Sequence, residues 1–347
     1  PESAADYVRV VEAPDAVWDF IIEDLENAKN LLPHKGYWKG VNVGRVTAAA
    51  AAALKGKCYL YRSGIEPLYG ESTKTYYDEA ATEFDEIIKG SYGGYSLVEY
   101  SWNFDIAHEN NDESIFEMQF LGDVENASFN PGTATSGLAF DTRGLMLPGA
   151  GVGYEAVVHD WLYDAFVSSL DNDGKTDKRM FSTMMFNDLK AEIKLRAGQR
   201  LTGPGGYHFE DYYPKGDFSS VGNTRTYPYK AAVLKGLDLS MPMRNNDPTS
   251  LNGVGAGTKE YIYNQPRAHG VNWRYIRYAD VLMMYAEAVA RGGQGGDLAT
   301  AVGYVNDLRE RAYGDRLHGV NEAWLKADNY RNILNERGRE LYWEALR

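Results

Sequence analysis

Cysteine is almost missing: Cys58 stands alone in 347 residues, so no disulfide can close within the chain. It follows an alanine-rich stretch, where a lone Cys serves as a small buried hydrophobe. No apolar run approaches the ~18 residues a membrane span requires. Basic charge is in deficit, with 36 Lys and Arg against 49 Asp and Glu and a net charge of −13. That balance argues against a nucleic-acid partner and against a polybasic membrane patch. The six His form no pair at i,i+4 and have no Cys partner, which leaves zinc without support. Nucleophilic catalysis has no motif, since no Gly-x-Ser-x-Gly elbow occurs. Gly149-Ala150-Gly151-Val152-Gly153 lacks the Lys and Ser/Thr of a phosphate loop. Glycoside hydrolysis needs two facing carboxylates, and among 49 acids the sequence singles out no pair. No catalytic residue is assigned.

What is present is ordinary for a folded protein in bulk and unusual in two entries. Hydrophobic residues make up 44 % and charged residues 24 %, which excludes disorder as the default. The length allows one large or two modest domains. Tyr and Gly are abundant, at 26 and 36. Tyr joins a flat apolar face to a polar tip and so suits wet recognition surfaces.

Along the chain, helices bracket an irregular middle. After Pro14 and Asp15, the residues Val17, Ile21, Leu25, Ala28 and Leu32 recur at helical spacing, and Pro33 ends the element. A second helix is predicted over 46–62, with an alanine run from Ala48 to Ala53. A third covers 76–89, where Tyr77, Ala80, Phe84, Ile87 and Ile88 form a stripe and Gly90 fits the C-terminal cap. This pairing of short-linked helices looks like a tetratricopeptide unit. From Tyr92 to about His269, Gly, Asn, Asp, Thr and Pro dominate. Short strands are expected at 114–120 and 261–263, and helices at 154–170 and 180–195. Long loops of this kind are usually functional. The end is helical again, over 273–291, over 297–311 with Asp297 as cap, and over 332–347. The expected fold is mainly α, with tetratricopeptide-like helix pairs in an α-α superhelix, a large loop-rich insertion and a few short strands. Residues 1–91 and 270–347 are the helical segments and 92–269 the ligand-binding region of one unit.

The aromatics of the middle carry the binding case. Trp102, Tyr207, His208, Tyr212, Tyr213 and Tyr227 are the candidate ligand contacts. The run Gly205-Gly206-Tyr207-His208-Phe209-Glu210-Asp211-Tyr212-Tyr213 joins flexible backbone to stacking rings and acids. Sugar rings offer apolar C–H faces and polar rims, and aromatic platforms near Asn, Asp or Arg match both. Trp161 and Tyr154 fall on a predicted helix and read as core. Asp171, Asp173 and Asp177 alternate around Gly174, an oxygen-rich pattern able to hold a structural calcium, although the full EF-hand spacing and terminal Glu are missing. Glu336, Glu340 and Glu344 share a helix face; with no Glu-x-x-His partner they read as ion pairs with neighbouring Arg. So do Arg277, Asp280 and Glu287, and Arg309 and Arg311.

Blocks at both ends resemble the SusD/RagB family of outer-membrane nutrient-binding lipoproteins. Val17-Trp18, Asp24-Leu25-Glu26-Asn27-Ala28 and Leu31-Leu32-Pro33 look like one family helix. Gly44-Arg45-Val46-Thr47 with Lys57-Cys58-Tyr59-Leu60-Tyr61 looks like the next. Glu109-Asn110-Asn111 and Glu113-Ser114-Ile115-Phe116-Glu117 resemble the entry to the family's variable part. The most specific block is Arg277-Tyr278-Ala279-Asp280-Val281-Leu282 with Tyr285-Ala286-Glu287-Ala288. Asn306, Arg309 and Arg311-Ala312 follow it, and then Glu336-Arg337, Arg339-Glu340-Leu341 and Glu344.

The resemblance implies a surface-exposed protein of the outer membrane, lipid-anchored, that captures a glycan for a SusC-like TonB-dependent transporter. It implies contact with the membrane only through a lipid anchor absent from this sequence. It also implies that family segments precede Pro1 and follow Arg347. Three rivals stay open: a peptide-binding member of the same family, a glycoside hydrolase on a helical scaffold, and an intracellular repeat protein that binds partner proteins.

Overall fold

The structure, a computed structural model, describes residues 12–65, 73–104, 106–120, 140–141, 158–169, 177–186, 231–233, 268–269, 272–342 and 344. Three helices lead the chain. α1 (Pro14–Leu31) starts with Pro at its first position and Asp15 in its first turn, both favourable there, and ends before Pro33. α2 (Ala48–Ile65) follows, with Ala48 to Ala53 all at 6 % exposure or less. α3 (Tyr77–Ile88) buries Ala80, Ala81, Phe84 and Ile87 completely and is followed by Gly90 at φ +83°. The alanine run lets backbones approach, and Gly56 leaves the space that the Phe84 ring fills. α1 packs on α2 and α2 on α3. Lys55, 7 % exposed, ties the three together through Glu83 at 2.6 Å and Glu26 at 2.5 Å.

The C-terminal helices complete the stack. α3 packs against a helix at Tyr278–Ala290, which in turn packs against one at Leu298–Tyr313. In chain order the shorter elements come first: β1 (Ser114–Met118), β2 (Phe140–Asp141), α4 (Asp160–Val167), α5 (Arg179–Thr183), β3 (Met184–Phe186), β4 (Ala231–Val233), β5 (Ala268–His269) and β6 (Trp273–Arg277). The C-terminal helices are therefore α6 (Tyr278–Ala290), α7 (Leu298–Tyr313), α8 (Glu322–Lys326) and α9 (Arg331–Leu341). α6 is buried along nearly its whole circumference. One apolar core joins residues of α2, α3, α6, α7 and α9, so the two ends of the chain share an interior. Asp297 caps α7 by accepting from the Thr300 N–H at 2.8 Å, and Gly314 ends it at φ +83°. The fold is mainly α, as expected, with three two-stranded antiparallel sheets among the described residues.

Several boundaries depart from expectation. Residues 273–277 form a strand, not the start of a helix. β6 pairs with β1 through Ser114↔Arg277 and Met118↔Trp273, and Trp, Tyr and Ile suit a pleated, half-buried surface. The helix expected over 180–195 ends at Thr183, where Met184–Phe186 turns extended to pair with Ala231–Val233. The helix expected over 154–170 covers Asp160–Val167, since His159 is extended at ψ 137°. The last helix stops at Leu341, with Tyr342 turning to ψ 134°, and α8 has no counterpart in the expectation. The strand expected at 261–263 lies outside the described residues. Among the described residues no helix is long and apolar enough to cross a membrane.

Candidate functional site

The interior is organised by charge as well as by apolar packing. Arg277, fully buried, reaches Glu344 through Nε at 2.7 Å and both Glu113 and Glu340 through Nη1 at 2.6 Å. Its Nη2 donates to the Glu340 carbonyl at 2.6 Å. Arg179, also fully buried, holds Asp177 and Glu336 at 2.6 Å and Glu340 at 2.9 Å. Arg311 bridges Glu113, at 2.7 Å, and Glu340. Arg309 and Arg339 close on Glu336 at 2.7 and 3.1 Å. Among the described residues, five guanidiniums thus meet five carboxylates. Buried charges persist when they are paired in this way. Burial pushes the Glu336 carboxyl up, but Arg179, Arg309 and Arg339 outweigh it and hold it at about 2. Glu340 is likewise held well below the carboxylate range by Arg311, Arg277 and Arg179 against its burial.

This cluster anchors the turn that presents Trp102. The 3-10 turn Tyr100–Phe104 buries Tyr100, whose hydroxyl donates to the Glu340 carbonyl at 3.1 Å and lies 3.1 Å from Thr183 Oγ1. Burial drives the Tyr100 phenol well above its ordinary range. Asn103 is buried on the same turn, and Trp102 is left 42 % exposed. The indole stacks on the His108 ring at 4.3 Å with planes 6° apart. His108 is held in turn, because its carbonyl accepts from buried Arg274 at 3.5 Å. The result is an exposed indole backed by a half-buried imidazole on a fixed backbone.

Of the other candidate contacts, Tyr207, His208, Tyr212, Tyr213 and Tyr227 lie outside the described residues, as do Asp171 and Asp173. Asp177 is described and fully buried; both of its oxygens accept from Arg179, so a calcium ion would have to draw it from that guanidinium. Among the described residues no group of three or more His, Cys, Asp and Glu side chains is arranged to hold a metal ion. Trp161 is 46 % exposed, with its ring edge against Gly338, and so lies outside the core where it was expected. Tyr154 lies outside the described residues.

Aromatic density in the middle of the sequence does not point to Tyr37 and Trp38, on the connection from α1 to α2. Their rings meet edge to face at 5.0 Å, and the Arg45 guanidinium sits 5.4 Å from the Trp38 ring. A cavity of about 210 Å³ opens there beside Lys35, Tyr95, Asn110 and Glu117. The signal available in sequence was the aromatic pair with a cation seven residues on.

The helical scaffold thus carries an aromatic platform on a buried, ion-paired turn. The chain belongs to the SusD family, whose model matches residues 112–347. A SusD superfamily protein from Bacteroides vulgatus is similar in fold, with a TM-score of 0.61 and 24 % identity over 96 % of this chain and 56 % of that one. Surface glycan-binding protein A from Bacteroides thetaiotaomicron has a TM-score of 0.58 and 20 % identity, covering 94 % and 58 %. A SusD-like carbohydrate-binding protein from Bacteroides fragilis has a TM-score of 0.57 and 17 % identity, covering 99 % and 59 %. The chain therefore spans less than two thirds of the length of these neighbours. No curated protein matches it.

Proposed function

We propose that this chain is a non-catalytic glycan-capture protein of the outer-membrane surface that hands oligo- or polysaccharide to a SusC-like TonB-dependent transporter. The observation that carries this reading is the Trp102–His108 platform, exposed on a turn fixed to the buried ion cluster. An indole face matches the apolar C–H face of a sugar ring. A preorganised ring binds without first being ordered, which lowers the entropy cost of capture. Membership of the SusD family supports the reading, as do neighbours that bind glycan or carbohydrate. The Tyr207–Tyr213 segment and Tyr227 are assigned to the same ligand, and a lipid anchor upstream of Pro1 to the membrane.

The test is calorimetric titration of an oligosaccharide panel, with product analysis after long incubation. Binding without product is expected, and Trp102→Ala should weaken it about tenfold, the equivalent of about 1.4 kcal/mol, with an unchanged melting temperature. Hydrolysis of any panel member, or wild-type affinity in the Trp102→Ala variant, overturns the reading.

A further inference from the structure

A second cleft, of about 280 Å³, opens between the end of α4 and helices α7, α8 and α9. None of its lining residues lies on the turn of Trp102. Tyr313 and His318 stack on one another in its wall at 4.1 Å with planes 6° apart, and His318 Nδ1 is 3.2 Å from Asp315. Arg309 lies 5.3 Å from the Tyr313 ring and 5.8 Å from that of Trp324. Its Nε donates to the His318 carbonyl at 2.6 Å and its Nη1 to Glu336 at 2.7 Å. Its Nη2 has no hydrogen-bond partner among the described residues. Arg339 gives Nη1 to Glu336 at 3.1 Å, and its Nε is buried with no partner.

The wall is basic, although the chain as a whole is not. Among the described residues no Asp or Glu lines the cleft, while the net charge of the protein is −13. Among the described residues the acid touching both Arg309 and Arg339 is Glu336, fully buried and already shared among Arg179, Arg309 and Arg339. A buried guanidinium donor without an acceptor, such as Arg339 Nε, is costly, and a guanidinium matches a carboxylate in a planar fork. Neutral hydrogen-bonding groups stand beside them. Asn335 makes no side-chain hydrogen bond among the described residues. Asn332 donates to the Trp324 carbonyl at 3.1 Å, which leaves its own oxygen to accept from a hydroxyl. The volume falls just under the ~300 Å³ floor for drug-sized ligands, which suits one ring.

We propose that this cleft is a second ligand site that takes a single sugar ring bearing a carboxylate, a hexuronate residue. The carboxylate meets Arg309 and Arg339, the hydroxyls meet Asn332 and Asn335, and the ring lies against Trp324. The proposal stands on the cleft alone, so it holds or fails separately from glycan capture at Trp102.

The test is titration of the full chain with galacturonate, galactose and acetate. Galacturonate should bind about tenfold or more tighter than either of the others, because two charge-assisted hydrogen bonds are at stake. Arg339→Gln should weaken it about tenfold. Asn335→Ala, on an exposed and unpartnered side chain, should weaken it severalfold at an unchanged melting temperature. Four results overturn the proposal: no binding of galacturonate, equal binding of galactose, acetate binding as tightly as the uronate, or wild-type affinity in Asn335→Ala. Loss of uronate binding in Trp102→Ala with retention in Asn335→Ala overturns it too, because the ligand would then sit on the platform.

Discussion

Replacing Arg277 by Met removes the hub of the buried ion cluster while roughly keeping its volume. Among the described residues, five carboxylates would then face four guanidiniums in a region where Arg277, Glu113 and Glu340 are fully buried and Glu344 is 4 % exposed. Breaking one side of a buried pair costs about 3–5 kcal/mol, because it leaves charge uncompensated. For a chain of this size that corresponds to a fall in melting temperature on the order of 10 °C. Differential scanning calorimetry at neutral pH reads it directly. The companion is Arg277→Met with Glu344→Gln, which restores the balance to four against four. It should recover at least half of the loss, since the two sites share one contact and couple strongly. If Arg277→Met melts within about 1 °C of wild type, or the double variant is as unstable as the two losses added, the cluster does not hold the fold as described.

Two further outcomes follow from other elements. The Glu336 carboxyl is held at about 2 against an ordinary value of 4.5. Its folded value is depressed, so its stabilisation is full above about 4.5 and is lost as pH falls toward 2. The integrated effect is about 3 kcal/mol. Melting temperatures measured across that range should fall, and a Glu336→Gln variant, less stable at neutral pH, should fall less; parallel curves would refute the assignment. A methyl added at Gly56 would lie 2.6 Å from the Phe84 ring, whereas Gly64 on the same helix has nothing within 4 Å. Gly56→Ala should therefore be less stable than Gly64→Ala by about 1–3 kcal/mol of overpacking, and equal denaturation midpoints would show that the close contact does not exist.

The scaffold was legible where the apolar period was unbroken. α1, α2, α3 and α7 could be placed to within a few residues because one face of each repeats at helical spacing and Pro33, Gly90 and Asp297 punctuate the ends. β6 was not legible, since Trp273 to Arg277 fits a helical stripe as well as a strand. What decides is pairing with β1, more than 150 residues earlier. The carboxylates of α9 read correctly as ion pairs, but their complete burial and their contact with Arg179 depend on tertiary packing that no local pattern encodes. Of the candidate site, Trp102 is placed on an exposed platform. The cleft at Tyr313, His318 and Trp324 escaped because its rings come from the end of α7, the turn after it and α8, in a segment whose periodicity spoke only of scaffold.

The charge cluster also sets a timetable for folding. Glu113 comes from the first third of the chain, Arg179 from the middle, and Glu336, Glu340 and Glu344 from the last dozen residues. Until α9 has been synthesised, Arg179, Arg277 and Arg311 each lack at least one counter-charge and cannot leave water without penalty. Closing such distant contacts is slow. A growing chain therefore has little reason to seal its interior before α9 has emerged. Arrival of α9, with Glu336 and Glu340, is the event that lets these arginines leave water.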